Sequence, residues 1–159
     1  EPYRRQRQMC IRDRTEMVAE EAQGLAESKA VTLTAEIEPG ILVKADQTLM
    51  MRIWLNLLTN AVKYGRQQGQ IWLTLKSDGK NAVGTVRDDG IGISAAELPK
   101  IWKRFYRVNT ARSSGDDSGT GLGLAMVKWM VESHGGTVSA VSTLGAGSTF
   151  SFTIPLRPS

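Results

Sequence analysis

From Asp46 to about Tyr64 the apolar residues fall at Met50, Ile53, Trp54, Leu57, Leu58 and Ala61. That is the i, i+3, i+4 spacing of a helix with one buried stripe. Asp46 fits its N-cap, and Gly65 with the polar run after it stops it. Such a stripe must be covered by another element, and the flanking segments read as strands. VTLTAEI (31–37) alternates and is rich in β-branched residues, and Pro39-Gly40 closes it. QIWLTLK (70–76), the turn SDGKN and AVGTVRD (82–88) read as a hairpin. TVSAVST, the turn LGAG and STFSFTIP make a closing hairpin in which Phe150, Phe152 and Ile154 share one face.

Two shorter helices complete the pattern. Thr15–Ser28 sets Met17, Ala22, Leu25 and Ala26 among acids, and Leu122–Ser133 carries Leu124, Val127, Met130 and Val131 on one side. Residues 89–120 are rich in Gly and Ser, with one helical patch near Glu97–Phe105. A loop this long in a compact domain is usually a lid or a binding loop. The order is helix, strand, helix, two strands, lid, helix, two strands. It predicts an α+β fold, a two-layer sandwich with helices on one face of a mixed, mostly antiparallel sheet and a long lid.

Composition narrows the function classes. At 159 residues, 41% hydrophobic and 23% charged, the chain fits one domain with a real core. One cysteine, Cys10, and one histidine, His134, exclude a disulfide framework and Cys- or His-cluster metal sites. No apolar run approaches the ~20 residues of a membrane helix, and the first ten residues lack a signal peptide's apolar centre. A soluble cytoplasmic domain without membrane contact is expected. The net charge of +4 hints at nucleic acid, but Arg4, Arg5, Arg7, Arg12 and Arg14 stand near the start against Glu1 and Asp13. The remainder is nearly neutral, so no nucleic-acid partner is expected. Residues 1–14 read as a disordered or foreign segment, or else as a helix end of a longer protein, with the domain running over 15–157.

Four constellations carry chemistry. Asn56, Asn60 and Lys63 share one edge of the long helix. Two carboxamides there either cap neighbouring backbone, or offer oxygens to a hard cation such as Mg²⁺ while Lys63 meets phosphate. In Asp88-Asp89-Gly90-Ile91-Gly92, alternation places Asp88 on the core side where the strand ends. An acceptor-only group at that place suits the exocyclic amine of a purine, and Gly90 and Gly92 would let backbone approach a flat ring; a plain Asp-Gly turn is the other reading. Gly119-Thr120-Gly121-Leu122-Gly123-Leu124 opens a helix with spacing suited to an anion at its N-terminus, unless it is simply a helix-start loop. It is neither the G-x-G-x-x-G fingerprint nor a P-loop. Within the lid stand Trp102, Arg104, Phe105, Tyr106 and Arg107, either a short helix packed on the body or aromatic anchors with phosphate-binding guanidinium groups.

In this order the pieces resemble the ATP-binding catalytic domain of sensor histidine kinases, in the superfamily shared with gyrase, MutL and a heat-shock chaperone (GHKL, the Bergerat fold). NLLTNAVKYG resembles the N box, DDGIGI the first glycine box, IWKRFYR the F box and SGTGLGLAMVK the second glycine box. The resemblance covers about Thr15 to Pro155, and four boxes in order are far more specific than any one. It implies that Asn60 ligates Mg²⁺ and that Asn56 lines the same phosphate site. Lys63 would contact phosphate and Tyr64 would lie over the nucleotide. Asp88 would bond the adenine amine beside Gly90 and Gly92. Gly119, Thr120, Gly121, Leu122 and Gly123 would shape the lid's end around the phosphates. Phe105 would anchor the lid, with Arg104 or Arg107 as cationic help. His134 would be structural, and not a phosphorylation site.

Three departures stand out. Trp102 occupies an F-box phenylalanine position, Asp89 replaces a frequent asparagine, and no phosphoacceptor-histidine segment is present. The implied activity is phosphoryl transfer from Mg·ATP to a histidine on a separate dimerisation domain, with a response regulator downstream. The alternatives are a serine kinase of the anti-sigma type or a gyrase-branch ATPase, and a non-catalytic nucleotide-binding module. The first two usually carry a glutamate base four residues before the magnesium asparagine. Here Asn56 stands there, and a carboxamide cannot take a proton at neutral pH.

Overall fold

The computed structural model describes residues 6–104, 106 and 123–157. Five strands form the main sheet: β2 (Thr32–Ile37), β4 (Gln70–Ser77), β5 (Asn81–Asp88), β6 (Thr137–Thr143) and β7 (Gly147–Pro155). They lie in the order β2-β4-β5-β7-β6. β2 runs parallel to β4 and every other neighbour pair is antiparallel. Helices α1 (Ile11–Ser28), α2 (Gln47–Tyr64) and α3 (Gly123–Glu132) cover one face. The predicted sandwich is the observed one.

Alternation explains which face they cover. Ile71, Leu73 and Leu75 of β4, Ala82, Val86 and Asp88 of β5, and Phe150, Phe152 and Ile154 of β7 all turn inward. The stripe of α2 lies on them, with Met50, Ile53, Trp54, Leu57, Leu58, Ala61 and Val62 buried. Trp54 meets Phe152 edge-on, centroids 4.9 Å apart at 72°. Gly84, opposite Phe152 in the ladder, makes room for this pair, because a Cβ there would run into both rings. On the open face, the Arg87 guanidinium stacks 4.7 Å above the Trp72 ring.

Two features depart from the sequence expectation. Leu42–Asp46 is a strand, β3, paired antiparallel with β1 (Gln6–Cys10) in a small second sheet. The reading that set residues 1–14 apart from the fold therefore does not hold for 6–14. Residues 11–14 form the first turn of α1, where Ile11 is fully buried. The helical patch expected near Glu97–Phe105 is reduced to one 3₁₀ turn, Leu98–Lys100, followed by further turns.

The N-cap reading of Asp46 holds, and it extends to a second element. The carboxylate accepts from the Thr48 and Leu49 N–H groups at 2.9 and 3.1 Å. The Asp46 backbone N–H donates to His134 Nε2 at 3.0 Å, so Nε2 is the unprotonated nitrogen. His134 Nδ1 then donates to the Met130 carbonyl at 2.7 Å. The neutral ring thus ties the end of α3 to the start of α2. His134→Ala strands a buried N–H, and is expected to lower stability by about 1–3 kcal/mol. A urea midpoint shifted downward at unchanged slope would register it.

Candidate nucleotide-binding site

The last residue of β5 is the centre of the site. Asp88 follows Gly84 and Val86 on the covered face, so its side chain enters the space under the helices and is only 5% exposed. Its Oδ1 accepts from the Gly90 N–H at 2.8 Å. Burial pushes the carboxyl up to about 6, against the bonds from the Gly90 and Ser148 N–H groups that pull it down. Asp89 adds a smaller upward push. The second carboxylate turns away to accept from the Gln70 N–H at 2.9 Å, which places the charge at the start of β4.

The segment after Asp88 is wedged between two others. Ile91 donates to the Tyr64 carbonyl at 3.3 Å and accepts from the Gly145 N–H at 2.7 Å. Arg66 reaches across to the same Gly145, donating to its carbonyl at 3.1 Å. The end of α2, the loop after β5 and the β6–β7 turn are thereby clasped together. This is why Gly90 and Gly92 are glycines. A Cβ on Gly90 would collide with the Tyr64 carbonyl oxygen. A Cβ on Gly92, which sits at φ +73°, would collide with the Thr143 carbonyl oxygen.

Over this floor opens a cleft. Its polar groups are Asn60, Tyr64, Asp88 and Ser148, and its apolar walls are Ile91, Ile93, Leu124 and Phe150, with Gly92 at the turn. A few convergent polar groups within an apolar cleft suit a small planar ligand. Trp102 packs edge-on against Phe150 from outside, centroids 5.9 Å apart, so the segment leading into residues 105–122 is anchored on a residue of the cleft wall.

Of the residues singled out in the sequence, Asn60, Tyr64, Asp88 and Gly92 are brought together around one opening, with Gly90 beside them. Asn56 lies one turn back on α2, half-buried and off the cleft wall. Lys63 also lies off that wall. Its ammonium sits 5.3 Å over the Tyr64 ring, and the side chain borders a second opening with Lys29 and Arg66. Arg104 is exposed. Gly123 starts α3 with open space where a Cβ would be. Phe105, Arg107, Gly119, Thr120, Gly121 and Leu122 lie outside the described residues.

Ser148 and Phe150 were missed as site residues because the closing hairpin reads as plain core alternation. The signal was register, since Asp88 pairs directly with Ser148 across β5 and β7.

Residues 45–158 match the family described as histidine kinase-, DNA gyrase B-, and HSP90-like ATPases. The chain belongs to that family. Within it, the chain is 35% identical over 141 residues to the sensor histidine kinase YclK of Bacillus subtilis, covering 89% of this chain and 30% of that protein. It is 42% identical over 114 residues to the circadian input-output histidine kinase CikA of Synechococcus elongatus, covering 70% of this chain and 15% of that one. The chain thus spans about a third or less of the curated relatives it matches. Among solved structures, the mycobacterial sensor histidine kinase MprB superposes with a TM-score of 0.83 at 26% identity, covering 96% and 99% of the two chains. Full-length ShkA in complex with AMPPNP superposes with a TM-score of 0.81 at 28% identity over 95% of this chain and 31% of that one. An ATP-binding domain of the sensor-kinase type accounts for the resemblance of the four boxes. Among the described residues, no helix is long and apolar enough to cross a membrane.

Proposed function

We propose that this chain binds Mg·ATP in the cleft and presents the γ-phosphoryl group to a histidine on a separate dimerisation domain, from which a response regulator would be charged. The observation that carries the reading is Asp88, a buried carboxylate at the floor of an apolar cleft with no cation beside it among the described residues. A group so placed is costly to keep ionised unless a ligand donates to it, and the amine of adenine does so. That ShkA was solved with the ATP analogue AMPPNP supports the same use of the fold here.

The remaining roles follow from position. Tyr64 would flank the nucleotide, and Ile91, Ile93 and Leu124 would exclude water from the base. Lys63, one turn beyond Asn60 on the same helix edge, would swing from the Tyr64 ring to a phosphate oxygen; a lysine on a four-carbon stem has that reach. Asn56 would serve the phosphate region from further along α2. By resemblance to the family, Phe105 would anchor the lid, Arg104 or Arg107 would offer cationic help, and Gly119, Gly121 and Gly123 would shape the lid's end around the phosphates.

The residues fit a magnesium ion that arrives with its nucleotide. Among the described residues, no group of three His, Cys, Asp or Glu is placed to hold a metal by itself. Asn60 offers one carboxamide oxygen, and the phosphates and water would complete the shell, as is usual for Mg²⁺. When bound, the ion offsets phosphate charge. The chain's own residues would then orient the phosphates, and Asn56, which stands where an ATPase-branch base would be, is a carboxamide that takes no proton at neutral pH.

The test is transfer. The chain with Mg·ATP and the dimerisation domain of a related kinase should yield acid-labile phosphate on that domain. Asn60→Ala should reduce the yield at least about 100-fold, the size of losing a group that acts on the transferred phosphoryl. Transfer that survives Asn60→Ala, or phosphate that is acid-stable, rejects the assignment.

A further inference from the structure

The hydroxyl of Ser142, on β6, is fully committed. It donates to the Gly147 carbonyl at 2.9 Å. It accepts from the Ile93 N–H at 2.8 Å. The Ser148 hydroxyl lies 2.8 Å away as a third neighbour. A hydroxyl owns one hydrogen and two acceptor positions. A carbonyl can only accept and an N–H can only donate, so Ser142 has spent its hydrogen on Gly147. The contact with Ser148 can then run only one way, with Ser148 donating and Ser142 accepting.

This settles what Ser148 shows to the cleft. Its side chain borders the opening beside Asp88, and it is buried. With its hydrogen turned back toward Ser142, it faces the cleft with lone pairs alone. Asp88 likewise offers the cleft only acceptors. We infer that Ser142 is a positioning residue for base selectivity: it holds Ser148 as an acceptor, so that the cleft takes a purine bearing an exocyclic amine and rejects a 6-oxo purine. The inference rests on the nucleotide reading above, which already has Asp88 meet the adenine amine, and adds to it the residue that sets the second acceptor. An amine donates to these oxygens. A 6-oxo group would bring lone pairs against lone pairs, leaving buried acceptors unpaired.

The experiment uses the whole chain, with ATP and inosine triphosphate competing against a fluorescent ATP analogue. The unaltered chain should prefer ATP about tenfold or more, the worth of one well-placed hydrogen bond. Ser142→Ala frees the Ser148 hydroxyl to turn and donate, so inosine triphosphate should gain and the ratio should fall about tenfold. Ser142→Thr keeps a hydroxyl and should keep the ratio, which a role in packing alone would not require. Ser148→Ala tests orientation independently of whether Ser142→Ala folds: it should weaken ATP and spare inosine triphosphate, whereas a freely turning hydroxyl predicts losses for both. A ratio unchanged in Ser142→Ala, or parallel losses in Ser148→Ala, overturns the positioning role. Equal affinity for both nucleotides in the unaltered chain removes the selectivity and leaves the site standing. Binding of neither removes the nucleotide reading itself, and the selectivity with it.

Discussion

Asp88→Asn is expected to weaken ATP binding about 100-fold, roughly 2.7 kcal/mol, while leaving the chain folded. The substituted carboxamide can still accept from the Gly90 N–H, the bond Asp88 makes at 2.8 Å. Its NH₂ would then face the amine of the base, donor against donor. Stability should move the other way. The native carboxyl titrates near 6, above its ordinary 3.8, chiefly because burial penalises its charge. A group raised in this way stabilises the folded state when protonated, and that contribution is lost as pH rises through about 6. At neutral pH, Asp88→Asn removes an ion that burial disfavours, so its melting temperature should match or exceed that of the parent.

The same titration gives an acid limit for the ligand. As pH falls through 6 the carboxylate takes a proton and loses acceptor strength, so ATP affinity should fall while the unliganded domain gains stability from this group. The slope of log Kd between pH 7 and 5, taken against that of Asp88→Asn, isolates Asp88 from the nucleotide's own phosphate titration. Identical slopes would mean that Asp88 does not touch the base.

The legible part of this fold was the part with period. The α2 stripe and the alternation of β4, β5 and β7 were readable because each faces the core on one side only. β3 was not, since five residues between a Pro-Gly turn and a helix cap leave too little pattern. β1 was hidden for a different reason: its arginine-rich surroundings suggest solvent, yet a strand paired on one edge tolerates polar side chains. In the site, Asp88 was legible because a carboxylate in phase with Val86 has to be explained. Ser148 was not, because its role depends on lying opposite Asp88 in the β5–β7 register, which no local pattern encodes. Lys63 shows the limit of motif spacing. Helix geometry fixes where its Cα lies, but the stem then chooses among neighbours, and here it rests over Tyr64.

Gly92→Ala is expected to abolish useful nucleotide binding, raising Kd more than about 30-fold, and to destabilise the domain by about 2–4 kcal/mol. Two effects add. At φ +73° an L side chain is strained, worth about 1–2 kcal/mol. The new methyl would also collide with the Thr143 carbonyl oxygen, which is backbone in a paired strand and cannot swing aside. Either the loop after Asp88 or the β6–β7 turn must then withdraw. They are joined by Gly145 N–H to Ile91 carbonyl at 2.7 Å and by Ile93 N–H to Ser142 Oγ at 2.8 Å. Those bonds would break, and the Asp88 and Ser148 side of the cleft would open. Gly79→Ala separates the two effects. Gly79 also has a left-handed φ, +93°, but a Cβ there meets nothing within 4 Å, and it sits at the β4–β5 turn. It should lose only the strain term, about 1–2 kcal/mol, and bind ATP as the parent does. If Gly92→Ala were to behave like Gly79→Ala in a binding titration, the close packing of these two loops would have no part in forming the site.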